Sequence, residues 1–126
     1  MPKKLLVIDD EENVRAVTKL SLEVMGGWEA LEAASGIEGV RIAEAAQPDG
    51  ILLDVMMPGM DGPATVKALR ENHATAAIPI ILLTAKVQPM DRIRFESLGV
   101  NGLIAKPFDP MELPAEIARL LSWGAP

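Results

Sequence analysis

No cysteine occurs among the 126 residues. That excludes disulfides, thiolate metal centres and thiol nucleophiles, and it fits a reducing, cytoplasmic setting. Aromatic residues are scarce at 3%, so aliphatic Leu, Ile, Val, Ala and Met side chains must fill the interior and nucleic-acid bases would find little to stack on. Positive charge is also short. Twelve Lys and Arg face 18 Asp and Glu, a net charge of −6, and no basic run could track a phosphate backbone. Direct nucleic-acid contact and an anionic membrane surface are therefore not expected. Long apolar runs are missing too: the N-terminus leads only into Leu5–Ile8, so neither a signal peptide nor a membrane anchor is expected.

What is present has the balance of a folded domain. Hydrophobic residues make up 49% and charged residues 24%, far from the composition of disorder. Length and the want of repeats or linkers predict a single domain over residues 1–126, with no output domain. Short apolar runs alternate with amphipathic stretches. Strands are expected at Leu5–Ile8, Ala30–Ala34, Ile51–Leu53, Ile80–Leu83 and Leu103–Ala105, the second being the weakest. Helices are expected at Glu12–Met25, Gly36–Ala46, Pro63–Asn72, Pro89–Leu98 and Pro110–Ser122. Val14, Val17, Leu20 and Val24 share one face of the first. Ser35 with Glu38 forms a capping box, Asp109-Pro110 with Glu112 follows the same logic, and Asp61 with Pro63 begins the third helix. Pro114 predicts a bend or restart in the last, because an interior proline removes an N–H and crowds the preceding turn. Such alternation implies a parallel sheet covered by helices on both faces, a doubly wound α/β sandwich. Ligands of such sheets bind beyond the carboxyl ends of the strands.

Those ends carry the chemistry. The first strand runs into Asp9-Asp10 and the third into Asp54. Asp9-Asp10 alone could be a helix cap before Glu12; three converging carboxylates repel one another unless a cation lies between them. Mg²⁺, with Mn²⁺ as a substitute, is the natural occupant, since it takes oxygen ligands and combines one or two carboxylates with a phosphate. The fourth strand ends in Leu83-Thr84-Ala85, which supplies a hydroxyl and, at Ala85, room for a ligand. The fifth ends in Lys106-Pro107-Phe108, whose cation could pair with Asp54 in the empty site and with a phosphoryl oxygen in the filled one. A carboxylate nucleophile, a cation site, a hydroxyl and a fixed positive charge are the needs of phosphoryl transfer.

Asp9-Asp10, Asp54 with the following Met57-Pro58-Gly59-Met60-Asp61-Gly62, Leu83-Thr84-Ala85 and Lys106-Pro107-Phe108 together resemble the receiver domain of two-component response regulators, over essentially the whole chain. The chain is similar in this to the single-domain chemotaxis regulators. The resemblance implies a flavodoxin-like five-stranded sheet of order 2-1-3-4-5. It implies that Asp54 takes a phosphoryl group from a sensor histidine kinase or a histidine phosphotransfer protein, and that the domain catalyses its own modification without being a turnover enzyme. By the same resemblance Asp10, Asp54 and the Met56 backbone carbonyl hold Mg²⁺ directly, Asp9 holds it through water, and Thr84 and Lys106 contact phosphoryl oxygens. Output would pass to a separate protein, from a monomer or a phosphorylation-dependent dimer. Many receivers carry Tyr or Phe three residues before the Lys; this chain has Leu103 there. Switching is therefore expected to rely on the segment from Lys86 to Leu98. Met56 and Lys86, two residues beyond Asp54 and Thr84, are the positions expected to tune the lifetime of the acyl phosphate.

Other features read as structure. His73, the one histidine, belongs to no motif; Met56, Met57 and Met60 look like loop packing, and Gly26-Gly27 and Gly59 like turns. Trp28 and Trp123 are isolated in sequence. Three functional alternatives stand beside the receiver reading, the least favoured being a nucleotide- or flavin-binding domain of similar topology, since the first strand ends in acids where a phosphate would want amides. A phosphatase of the haloacid dehalogenase type also uses a strand-end Asp with Mg²⁺ and Lys, but usually has a second Asp two residues on, where this chain has Met56. A receiver-shaped docking module that takes no phosphate is the third, with Leu103 in its favour.

Overall fold

The computed structural model describes residues 2–85 and 88–124. Strands β1 (Lys4–Ile8), β2 (Glu29–Ala33), β3 (Gly50–Asp54), β4 (Ile80–Thr84) and β5 (Gly102–Ala105) alternate with helices α1 (Glu12–Leu20), α2 (Gly36–Ala46), α3 (Gly62–Glu71), α4 (Pro89–Glu96) and α5 (Leu113–Leu120). All five strands are parallel, in the order β2-β1-β3-β4-β5. The two central strands β3 and β4 are buried along their whole length, as expected of a sheet covered on both faces. One face packs Leu6, Ile8, Leu53, Ile80 and Leu82 against Val66 and Leu69 of α3 and Phe95 of α4. The other packs Leu5, Val7, Leu52, Ile81 and Leu83 against Leu113 and Ile117 of α5 and against Leu22.

Helix starts follow the capping residues in two cases. The Ser35 hydroxyl accepts the Glu38 N–H at 3.2 Å, while the Glu38 carboxylate accepts the N–H of Ala34, one residue earlier than a standard capping box. Asp61 Oδ1 accepts the Ala64 N–H at 2.9 Å, with Pro63 in the first turn. The last helix begins at Leu113, not Pro110. Asp109 accepts the Met111 N–H with its carboxylate and the Glu112 and Leu113 N–H groups with its carbonyl, closing a separate turn over residues 110–112. Pro114 thus falls in the first turn of α5, where its missing N–H has no intrahelical acceptor to lose.

The first helix departs most from expectation. It ends at Leu20 and continues as a π-helical turn, Ser21–Met25. The apolar face read from Val14, Val17, Leu20 and Val24 turns outward: Leu20 and Val24 are 62% and 70% exposed, while Thr18, Ser21 and Leu22 are buried. The two inward hydroxyls tolerate burial because each donates to a carbonyl, Thr18 to Val14 and Ser21 to Pro110. The wider π turn then brings Leu22 onto the sheet. At the amino end of the sheet, Trp28 and Trp123 meet edge to face with ring centroids 5.4 Å apart; the two residues isolated in sequence are partners in space.

Candidate functional site

Parallel strands bring their carboxyl ends to one edge. Asp9 directly follows β1 and Asp54 closes β3, next to it in the sheet. Both side chains are essentially buried, while Asp10 is exposed. One carboxylate oxygen from each of the three lies within 4.8 Å of the others. The loop after β3 makes this approach possible. Gly62 leaves no room for a Cβ, which would meet the Val55 backbone at 2.7 Å, and Gly59 adopts a positive φ of 73°. The chain therefore leaves Asp54, turns sharply and enters α3 close against the Val55 backbone.

Lys106, just beyond β5, reaches back across β4. Its Nζ donates to Asp9 Oδ2 at 3.0 Å and to Asp54 Oδ1 at 3.1 Å. The bond to Asp54 matches the expectation from sequence; the bond to Asp9 was not foreseen, because the spacing of motifs does not say which acid of a pair points inward. Asp9 is further fixed by donating its N–H to the Ala33 carbonyl and by accepting the Glu11 N–H at Oδ1.

Burial pushes the Asp54 pKa up; the Lys106 hydrogen bond opposes this, the Asp9 charge adds to it, and the Met56 backbone N–H opposes it again, leaving a net rise. For Lys106, burial works against the ammonium, but hydrogen bonds to Asp9 and Asp54 and the charges of both outweigh it, and the pKa rises. The site thus holds an incompletely neutralised carboxylate beside a firmly charged lysine. A set of hard oxygen donors, two of them on buried residues, fits Mg²⁺ and the similar Mn²⁺ better than softer metals.

Thr84 closes β4 and is buried beside Asp54, whose register partner is Leu83. Ala85 is exposed and lines two clefts that flank the site. One runs to Val14, Val17, Lys106, Pro107 and Phe108, the other to Met56, Asp91, Arg94 and Phe95. Met56 is 72% exposed at the rim, whereas Met57 is buried in the core; Met56 is therefore no part of the loop packing. Leu103 is half-buried on β5, opposite Leu82, and packs on the α3 and α4 side of the core. Lys86 lies outside the described residues. His73 is exposed and apart from the acids.

The chain matches the family model of the response regulator receiver domain over residues 5–118. The alkaline phosphatase synthesis transcriptional regulatory protein PhoP of Bacillus subtilis is 38% identical over 121 residues, covering 96% of this chain and 49% of that protein. The DNA-binding dual master transcriptional regulator RpaA of Synechocystis shows the same identity and coverage. The chain thus spans about half the length of these curated relatives. Among solved structures, the chemotaxis protein CheY4 of Vibrio cholerae superposes with a TM-score of 0.89 at 32% identity, over 95% of this chain and 99% of that one. The receiver domain of the sensor histidine kinase PA1611 of Pseudomonas aeruginosa, solved with a magnesium ion coordinated in its active-site cleft, gives 0.85 at 30% identity, over 97% and 99%.

Proposed function

The chain belongs to the response regulator receiver domain family, and from that membership we propose that Asp54 is its phosphoacceptor, working with Lys106, Thr84 and a divalent cation. The observation that carries this is the three-acid cluster bridged by Lys106. The Asp54 oxygen attacks the phosphorus of a phosphohistidine; the new O–P bond forms as the P–N bond breaks, and the imidazole leaves with the electron pair and takes up a proton. Lys106 already stands within hydrogen-bond distance of Asp54, so it can follow the incoming phosphoryl oxygen with little reorganisation. Thr84, buried at the neighbouring strand end, offers its hydroxyl to another phosphoryl oxygen. Asp10, Asp54 and the Met56 carbonyl would hold Mg²⁺, with Asp9 acting through water. The bound ion would neutralise charge on the acids and on the transferred group.

Lys106 also offsets repulsion between the buried acids: the ammonium bridges Asp9 and Asp54, while the exposed Asp10 stays within reach of a cation. The phosphorylated domain then shifts between two surface arrangements. Leu103, packed into the core, has no hydroxyl to expose, so the response runs through the loop after Thr84 and through α4. Amide exchange that is the same over residues 88–98 with and without a phosphoryl analogue would contradict this part of the reading. The partners that fit are a histidine kinase or phosphotransfer protein on the donor side and a protein target on the output side, with Mg²⁺ supplied by the cytoplasm.

Intact-protein mass after incubation with acetyl phosphate tests the proposal. One phosphoryl adduct is expected on wild type with Mg²⁺, and none with chelator or on Asp54→Ala. An adduct that persists on Asp54→Ala would move the nucleophile elsewhere.

A further inference from the structure

Arg15 takes no part in the chemistry above, yet it is aimed at the acid pair. It lies on α1, and its side chain is mostly buried. Its guanidinium donates from Nη1 to the backbone carbonyl of Asp9 at 2.8 Å. On its other side Nε lies 3.4 Å from Glu32 Oε1 on β2, close enough for charge pairing; the geometry makes no hydrogen bond, and Nε is buried without one. Lys19 lies 3.7 Å from the other oxygen of Glu32. Glu32 itself sits opposite Val7, two residues before Asp9.

The Asp9 carbonyl belongs to the peptide plane that joins Asp9 to Asp10. Every other polar group of Asp9 is engaged, by Ala33, Glu11 and Lys106. Asp10 is exposed. The orientation of that peptide plane, together with the Asp10 φ and χ1, sets the direction in which the Asp10 carboxylate leaves the backbone, and the Arg15 side chain donates to the plane's carbonyl.

We propose that Arg15 is a positioning residue for the cation site: by clamping the Asp9–Asp10 peptide against Glu32, it holds Asp10 facing Asp54 before the metal arrives. This rests on the reading of the three acids as an Mg²⁺ site. A group that orients a metal ligand from behind typically contributes a factor of about 10 or more in affinity. By linkage, metal binding should in turn hold Arg15 more firmly.

Isothermal titration of Mg²⁺ into the full chain tests it, on wild type, Arg15→Met, Arg15→Lys and Lys19→Ala. Wild type should bind; Arg15→Met should bind roughly ten-fold more weakly. Arg15→Lys, able to reach the carbonyl but not Glu32 at the same time, should fall between, and Lys19→Ala should match wild type. A merely structural arginine would lower the unfolding midpoint equally with and without Mg²⁺, whereas here the rise caused by Mg²⁺ should shrink in Arg15→Met. At saturating Mg²⁺ the rate of Asp54 modification should recover. Unchanged Mg²⁺ affinity in Arg15→Met overturns the inference while leaving the phosphoacceptor reading intact. Absence of Mg²⁺ binding to wild type overturns that reading first, and the inference with it. If Arg15→Met does not fold, Arg15→Lys decides, and wild-type affinity there overturns the inference.

Discussion

The two ends of the sheet are built on opposite principles. At the amino end, Trp28 and Trp123 pack edge to face, Lys3 Nζ lies 4.9 Å from the Trp123 ring, and Gly50 lets Leu121 and Trp123 close in. The Asp49 carboxylate accepts the Lys4 N–H at 2.8 Å, so even the first strand's backbone is tied down. At the carboxyl end, three carboxylates share one lysine, and burial disfavours the charge on Asp54. The amino end is closed by apolar contact, and the carboxyl end, where the proposed site lies, keeps charges apart from full solvation. Stability and reactivity are thus separated along the strands of one small domain.

Substitutions should respond to that separation. The largest effect is expected from Trp28→Ala, about 3 kcal/mol lost in urea unfolding through cavity formation, with Mg²⁺-dependent modification of Asp54 retained where the protein is folded. Loss of both together would break the comparison. Comparable is Lys106→Met, which leaves Asp9 and Asp54 buried without their cation and should cost about 3 kcal/mol. Asp54→Asn should act in the opposite direction, raising the urea midpoint measured in chelator while abolishing the adduct.

That gain should depend on pH. With Asp54 raised above its ordinary value, the folded state holds a proton more tightly than the unfolded one. In chelator the advantage of Asp54→Asn is full above the raised native pKa and shrinks as pH falls through it. Lys106 runs the other way: its pairing stabilises fully below the ordinary lysine value and is lost as pH rises through its raised native pKa, a loss that Lys106→Met should not show. Smallest of all, Leu20→Gln on the outward face of α1 should change unfolding by less than about 0.5 kcal/mol. A core-like cost there would mean that this face is covered.

That last residue marks where the sequence stops being legible. Alternating apolar runs located all five strands, and the gathering of the acids, Thr84 and Lys106 at one edge was legible too, because parallel connections leave little choice about which ends meet. The facing of α1 was hidden, since hydroxyls bonded to carbonyls at Thr18 and Ser21 can go inward and a π turn shifts the register for Leu22. The start of α5 was misplaced because Asp109 closes its own turn first. Long-range partners were hidden for a simpler reason. Arg15 reads as one more charge on a helix, and Trp28 and Trp123 as separate residues, until the fold sets each beside its partner.

The most direct test of the account is chemical mapping of the acceptor: the protein is phosphorylated with acetyl phosphate and Mg²⁺, reduced with borohydride, digested, and its peptides sequenced by mass spectrometry. An acyl phosphate is reduced to the alcohol, so the account predicts homoserine at position 54 and intact aspartate at 9, 10 and 61. Homoserine at any of those three, with Asp54 unchanged, would contradict it.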